Sequence, residues 1–305
     1  MAPLTAPPLS PTGQPAAPVA VITGTTHGIG RICARELARA GYRVVMLCRN
    51  LPAAEAVRQQ IESQLPQALI DIEPCDLASL ASVRTCAAAV RARFPTIARL
   101  INNAGRISMR HRMSVDGFEL SFATNHLGPF LLTELLRGSL APEARIINLA
   151  SRVHYKGHLE LHSLTDPHAR YRPQAAYAQS KLANVMHTFA LARRLAGRRI
   201  TCNCLHPGVV ATHLLPRWLR LIKPLLSPHI FDAERGAVTT LHLALAATLA
   251  DVSGQYFDEH QQIQRASQRA CDFEAQEALW QTSALWCGIA SEPAGVPSVA
   301  SWSAQ

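Results

Sequence analysis

The chain has 305 residues, 48% of them hydrophobic and 17% charged, which is enough for one large core and unlike a fibrous or wholly disordered sequence. A formal net charge of +9 would suit nucleic acid, but the basic residues are scattered as singlets and pairs such as Arg193-Arg194 and Arg198-Arg199, which argues against a nucleic-acid partner. No run approaches the roughly 18 apolar residues of a membrane span, and the Pro/Ala-rich opening has neither the positive start nor the apolar stretch of a secretory signal.

The cysteines (Cys33, Cys48, Cys75, Cys86, Cys202, Cys204, Cys271 and Cys287) form no CxxC pair and no dense framework. Reduced, mostly buried thiols and a cytoplasmic location are expected. Cys202 and Cys204 lie in the alternating run from Ile200 to Leu205, whose period of two turns both sulfurs to one buried strand face and makes a metal site a poor reading.

Residues 1–18 and 291–305 read as tails around one domain spanning 19–290. Within it the strand candidates are Val19 to Thr23, Arg43 to Cys48, Leu69 to Ile72, Leu100 to Asn102, Arg145 to Leu149, Ile200 to Leu205 and Gln255 to Phe257. They alternate with helical stretches at Ile29 to Ala40, Ala53 to Leu65, Leu80 to Phe94, Phe118 to Leu136, Tyr177 to Ala196 and Glu234 to Leu249. This alternation predicts an α/β fold, a doubly wound (Rossmann) parallel sheet of seven strands with helices on both faces. Residues 213–230 break the rhythm with three prolines and follow the sixth strand, where such a sheet places its ligand crevice. A substrate lid is the expected role. Its apolar Leu214, Leu215, Trp218, Leu219, Leu221 and Ile222 surround Arg217, Arg220 and Lys223, so a core-packing helix or a weak contact with an anionic membrane surface stays open.

Val21 to Gly30 is a strand running into a glycine-spaced turn that opens a helix. Glycines allow backbone to approach a pyrophosphate, whose charge the helix's first amides hold. An NAD site usually presents a carboxylate near the end of the second strand, yet here that strand ends Leu47-Cys48-Arg49-Asn50. The fork of Arg49 suits a 2′-phosphate instead, with His27 as a second contact, and NADP(H) is the expected cofactor.

Lysine occurs only at Lys156, Lys181 and Lys223, and Lys181 falls four residues after Tyr177 in a helical stretch. Both side chains then share one helix face. An ammonium there favours the phenolate of a tyrosine whose free pKa is near 10, giving an acid/base for a carbonyl oxygen while hydride moves on carbon. Ser151, just after the fifth strand, can hold the same oxygen. His154, His158, His162 and His168 are clustered but lack the Cys or carboxylate pattern of a zinc site, and no Gly-x-Ser-x-Gly elbow is present.

Taken in order, Thr23 to Gly30 resembles the TGxxxGIG turn of the short-chain dehydrogenase/reductase family, Asp76-Leu77 its adenine contact, and Asn102-Asn103-Ala104-Gly105 its NNAG segment. Tyr177-x3-Lys181 resembles its YxxxK motif and His206-Pro207-Gly208 its PG turn. The resemblance runs from about Val19 to about Ile289. It implies a catalytic set of Asn125, Ser151, Tyr177 and Lys181, with Asn125 supporting a water relay to the lysine and Lys181 also binding the nicotinamide ribose. For the cofactor it implies Thr23, Gly24, His27, Gly28, Ile29, Gly30, Arg49, Asp76, Leu77, Asn103, Ala104, Gly105, Tyr177, Lys181, Pro207, Gly208 and Thr212.

The residues Leu47-Cys48-Arg49, Thr124 to Thr133, Asn148 to His154, Glu234 to Ala237, Gly254-x-Tyr256-Phe257 and Ala278-Leu279-Trp280 are similar to the retinol dehydrogenase-like and WW-domain oxidoreductase-like branch. That likeness implies a small lipophilic carbonyl or alcohol as substrate, of the retinoid, sterol or long-chain aldehyde kind, and leaves assembly of identical copies open. The chain departs from the branch in lacking the N-terminal membrane helix many members carry, and WW modules. Two other classes remain: an NADPH-binding sensor or scaffold on the same fold, and a light-driven tetrapyrrole reductase.

Overall fold

In the computed structural model, residues 17–210 and 230–290 are described. The N-terminal half is a run of β-α units: β1 (Val19–Thr23), α1 (Gly28–Arg39), β2 (Arg43–Cys48), α2 (Leu51–Gln64), β3 (Leu69–Pro74), α3 (Leu80–Arg93) and β4 (Ile97–Asn102). The unbroken apolar character of β1 and β2 has a simple cause: both are covered on two faces, so Ala20 to Ile22 and Val44 to Cys48 are all buried. Side-chain caps start two of these three helices, Asn50 accepting from the Ala53 amide before α2 and Ser79 from the Ser82 amide before α3.

After β4 the chain forms α4 (Leu120–Phe122), a π-helical turn (Ala123–Leu127) and α5 (Gly128–Leu136), then β5 (Leu140–Leu149), α6 (Pro173–Arg194), β6 (Thr201–Leu205) and β7 (Val209–Val210). The remainder is β8 (Ile230–Phe231), α7 (Ala233–Leu245), β9 (Tyr256–Phe257), β10 (Ile263–Gln264), α8 (Gln268–Cys271) and α9 (Phe273–Trp286). The main sheet has the order β10-β9-β6-β5-β4-β1-β2-β3, with β7 and β8 paired separately. All neighbours in the main sheet run parallel except β9 and β10. One core lies on each face. The first joins residues such as Leu100, Phe130, Leu182 and Trp280, the second Ile22, Leu37, Met46 and Phe257.

Four expectations need correction. The main sheet has eight strands and not seven; the eighth, β10, is two exposed residues with no apolar pattern to reveal it. The helix expected over Phe118 to Leu136 is interrupted by the π turn, its start held by Glu119, whose carboxylate accepts from the Ser121 and Phe122 amides at 2.9 and 2.7 Å. The helix bearing Tyr177 starts earlier, at Pro173, where a proline at the first position fits. Helix α9 was not expected at all, because its apolar residues make no single stripe: Phe273 and Leu285 are exposed while Gln276 and Ser283 are buried. It is fastened instead by Arg193 and Arg194, which pair with Glu277, and by Arg194 over the Trp280 ring at 4.0 Å. Cys202 and Cys204 do share one buried face, in the first core. Of the expected lid only Ile230 is described, in β8; 213–229, Thr212 and both tails beyond 17–290 lie outside the described residues.

The first core also encloses two histidines. His126 bonds Ser283 Oγ at 2.8 Å, and its ring lies edge-on to His187 with centroids 5.9 Å apart. Burial pushes His187 down to about 3 and His126 well below its usual value. The unfolded chain takes up protons near pH 6.5 that the folded one refuses. Stability is therefore full above about pH 6.5 and declines as pH falls toward about 3, by up to about 1.4 kcal/mol per pH unit from His187, with His126 acting in the same direction. Scanning calorimetry is expected to give a lower Tm at mildly acidic than at neutral pH, and His187→Leu to narrow that difference. An equal acid sensitivity in the variant would refute this account.

Candidate active site

The chain reverses direction across the sheet between β1 and β4, and this switch opens a crevice at their carboxyl ends. Thr23 and Asn103 stitch its floor. The Thr23 hydroxyl accepts from the Asn103 and Ala104 amides at 3.0 and 2.9 Å, and Asn103 Nδ2 donates to the Thr23 and Gly24 carbonyls at 2.8 and 3.1 Å. Little room is left for side chains in this stitch. A Cβ on Gly24 would stand 2.9 Å from Ala104, and one on Gly30 would stand 2.3 Å from the Gly24 carbonyl and 2.4 Å from Asn103 Nδ2. Gly24 and Gly28 also have φ of +72° and +58°, which only glycine adopts freely.

The start of α1 differs from those of α2 and α3: His27 at its N-cap makes no capping bond and no acid occupies its first turn. Its first amides are thus available to an anion, and Ile29 anchors the turn by burying its side chain in the second core. His27 is exposed, with Nδ1 3.0 Å from Thr26 Oγ1. Arg49 is exposed at the end of β2, 3.9 Å from the Asp76 carboxylate, a long contact that leaves most of its fork accessible. Asp76 is shaped by local bonds, its Oδ1 accepting from the Ala78 amide at 3.0 Å. Leu77 is buried where a Cβ on Gly128 would meet its carbonyl at 2.3 Å, so α5 presses directly on this loop. The glycines and the uncapped helix start fit the pyrophosphate of a dinucleotide. At the far side of the crevice Gly208 takes φ +82° after the half-buried Pro207.

Four side chains expected to act together converge beyond that floor. Lys181 is buried, and its ammonium donates to the Leu149 carbonyl at the end of β5 at 2.7 Å, a carbonyl that also accepts from Asn184 at 3.3 Å. Gly105 makes room for it: a Cβ there would lie 3.4 Å from Nζ and 3.7 Å from Asn125 Oδ1. The π turn aims Asn125 inward, where Oδ1 accepts from the Arg106 amide at 2.8 Å while Nδ2 donates to the Arg106 carbonyl and to Ser180 Oγ, both at 2.9 Å. Tyr177 lies one turn before Lys181, its ring centroid 5.7 Å from Nζ. Ser151 lies near enough to the phenol to pull its pKa down.

The electrostatics differ from the simple expectation that the ammonium favours the phenolate. Burial dominates both groups, raising Tyr177 to about 12 against the lowering effect of Ser151 and bringing Lys181 down to about 8. At neutral pH the pair is a neutral phenol beside an ammonium. Such a phenol carries the proton a donor needs, though burial makes it hold that proton more tightly than a free tyrosine would; to accept a proton it must first lose its own.

The histidines of the 154–168 stretch do not converge: His154 is buried, whereas His158, His162 and His168 are exposed. His154 adjoins the site, its ring bonded to the Ser151 carbonyl at 2.8 Å. Sequence reasoning had grouped it with its surface neighbours, and the alternation of Ser151 and His154 across a tight turn gave no signal to separate it. Asn184 on the Leu149 carbonyl and the grip of Asn125 on Arg106 were likewise not foreseen.

Comparison with known proteins bears on this arrangement. The family model for short chain dehydrogenase matches residues 18–220. Retinol dehydrogenase 13 of Homo sapiens is 39% identical over 279 residues, covering 88% of this chain and 84% of its own. Retinol dehydrogenase 12 of Bos taurus is 39% identical over 275 residues, covering 89% and 86%. Among solved structures, an uncharacterized protein from Mycobacterium Paratuberculosis aligns with a TM-score of 0.75 at 32% identity, over 90% of this chain and 95% of that one. A blue fluorescent protein from a metagenomic library, in complex with NADPH, aligns with a TM-score of 0.64 at 26% identity, over 79% and 95%. The chain is a member of the short-chain dehydrogenase/reductase family of oxidoreductases, with retinol dehydrogenases among its relatives.

Proposed function

We propose that this oxidoreductase prefers NADPH and reduces the carbonyl of a lipophilic substrate, with Tyr177 as the proton donor. The observation that carries the reading is the meeting of Ser151, Tyr177, Lys181 and Asn125 at the carboxyl end of the crevice, with a protonated phenol beside a buried ammonium. When bound, the nicotinamide supplies the hydride. Tyr177 gives its proton to the substrate oxygen, Ser151 holds that oxygen by a hydrogen bond, and the Lys181 ammonium favours the phenolate left behind. Asn125 positions the loop after Gly105 through both backbone groups of Arg106. Thr23, Asn103 and the glycines shape the cradle for the dinucleotide, and Arg49 is the contact for its 2′-phosphate. Preference for NADPH is further supported by the absence of an acid at the end of β2, where Arg49 and Asn50 stand.

A lipophilic substrate is supported by the names of the retinol dehydrogenase relatives and by the apolar character of the segment around Trp218. We assign that segment, 213–230, the role of lid. The filled catalytic set argues against a purely cofactor-binding sensor, and no feature favours a tetrapyrrole substrate.

Tyr177→Phe is expected to lower reductive turnover of retinal or decanal by about 10²- to 10⁴-fold while NADPH binding, followed by fluorescence titration, stays intact. Turnover close to the wild-type value would remove the tyrosine from its role. Arg49→Asp is expected to invert the preference from NADPH to NADH, since it exchanges a phosphate fork for a group that repels phosphate; a wild-type enzyme that already binds NADH more tightly would contradict the assignment. The pH dependence follows from Lys181, which is charged below about 8 and loses its proton as pH rises through that value. Reductive kcat is expected to be flat through neutrality and to decline along that limb, whereas alcohol oxidation, which needs Tyr177 deprotonated, rises with pH. An unchanged reductive rate well above pH 8 would show that the ammonium is not used.

A further inference from the structure

The carbonyl of Ser151 is tied to a distant loop through an imidazole. After β5 the chain makes a 3-10 turn, Arg152–Lys156, whose first amides are served by Ser151: Val153 N donates to the serine Oγ at 3.3 Å and His154 N to its carbonyl at 3.0 Å. The same carbonyl accepts a second bond from His154 Nδ1 at 2.8 Å. On the opposite edge of the ring, Nε2 accepts from the Ser267 amide at 3.2 Å. The ring is fully buried, with Tyr155 and Tyr256 against it at centroid distances of 4.1 and 4.8 Å.

This wiring fixes the chemistry of the ring. A carbonyl oxygen only accepts and an amide N–H only donates, so Nδ1 must carry the proton and Nε2 must be bare. A protonated imidazole would lose its acceptor and set an N–H against the Ser267 N–H. A purely apolar side chain would fill the space but leave that buried amide unsatisfied. On the other side the turn has no slack, because a Cβ on Gly157 would meet the Ala178 carbonyl at 2.7 Å and Leu182 Cβ at 2.8 Å, one and five residues beyond Tyr177 on α6.

We propose that His154 is the positioning residue for Ser151: in its neutral Nδ1–H form it ties the serine carbonyl to the Ser267 amide and so sets where the Ser151 hydroxyl meets the Tyr177 phenol. The inference rests on the reading that Ser151 holds the reacting oxygen. Burial keeps His154 below its usual value, in accord with the neutral form. The titratable groups set against it are Tyr155 of its own turn and Tyr256 of β9, whose rings pack on it, and His206 after β6, around which Arg152, Asp258 and Glu259 gather. His206 is also pushed down, to about 4, Arg152 faces Glu259 at 3.7 Å, and the Tyr155 hydroxyl is spent on the Arg265 carbonyl at 2.5 Å. Neutral His154 is thus the form these neighbours leave at physiological pH.

The test uses the full chain with NADPH and decanal, comparing wild type, His154→Phe, His154→Gln and Ser151→Ala. His154→Phe is expected to lower kcat by about tenfold to a hundredfold, the scale of a small misplacement of a reacting group, with NADPH affinity unchanged. His154→Gln, which offers one donor and one acceptor, is expected to recover part of that loss. Wild-type kcat is expected to fall at acid pH, below the ordinary histidine range, as the buried imidazole gains a proton, and His154→Gln to lack that limb. The proposal is overturned if His154→Phe turns over like wild type, if its loss is shared equally by NADPH affinity, or if the acid limb persists in His154→Gln. Should the Phe variant not fold, the acid limb of the Gln variant decides alone. Wild-type turnover in Ser151→Ala would instead overturn the serine's role, whatever the histidine variants do.

Discussion

The close approach of β1 to β4 at their carboxyl ends governs the rest of the site. Two residues carry it: the Thr23 hydroxyl takes two amides from the next strand's loop, and Asn103 returns two bonds to the Thr23 and Gly24 carbonyls. Strands adjacent across the switch point of a doubly wound sheet have helices leaving toward opposite faces, so the two loops diverge and a crevice opens between them. The stitch holds that crevice to one width. It also explains why Gly24 and Gly30 cannot carry side chains, since the space a Cβ would need is occupied by Ala104, Asn103 and the Gly24 carbonyl.

A second layer of polar groups fixes the side of the crevice that carries Ser151 and Lys181. Beneath Ser151 and Lys181, Asn102 donates to Thr133 at 3.0 Å and to Asn148 at 2.8 Å, and Asn148 donates to Thr188 at 2.9 Å. This buried chain links β4, β5, α5 and α6. Amides so placed are costly unless paired, and although Asn102 Oδ1 has no partner, the three bonds favour this arrangement of the four elements. The Leu149 carbonyl, receiving both Lys181 and Asn184, terminates that arrangement at the crevice. The lysine is held by backbone and not by a carboxylate, which is why burial alone sets its lowered pKa.

Much of the fold was legible in the chain. Strands β1 and β2 match their sequence bounds to the residue because a strand buried on both faces must be continuously apolar, and the glycine turn, Arg49, Tyr177 and Lys181 stood out as candidates because the chemistry expected of them requires particular residue types at particular spacings. Where residues are held by partners distant in sequence, local pattern said little. Helix α9 is fastened by Arg193, Arg194 and buried polar residues, and β10 exists only because β9 pairs with it.

The amino-acid sequence by itself determined the order of β-α units, the glycine-lined turn and the types of the groups available for acid/base work, because these follow from periodicity and from what each side chain can do. Tertiary structure alone decided their charge states and alignment. Whether Tyr177 is phenol or phenolate depends on burial by distant elements, which outweighs the nearby ammonium. Whether His154 belongs to the surface cluster or to the serine depends on Ser267, 113 residues away in the chain. Desolvation and hydrogen-bond partnership are properties of neighbours in space, and the linear sequence does not specify those neighbours until the sheet has brought them together.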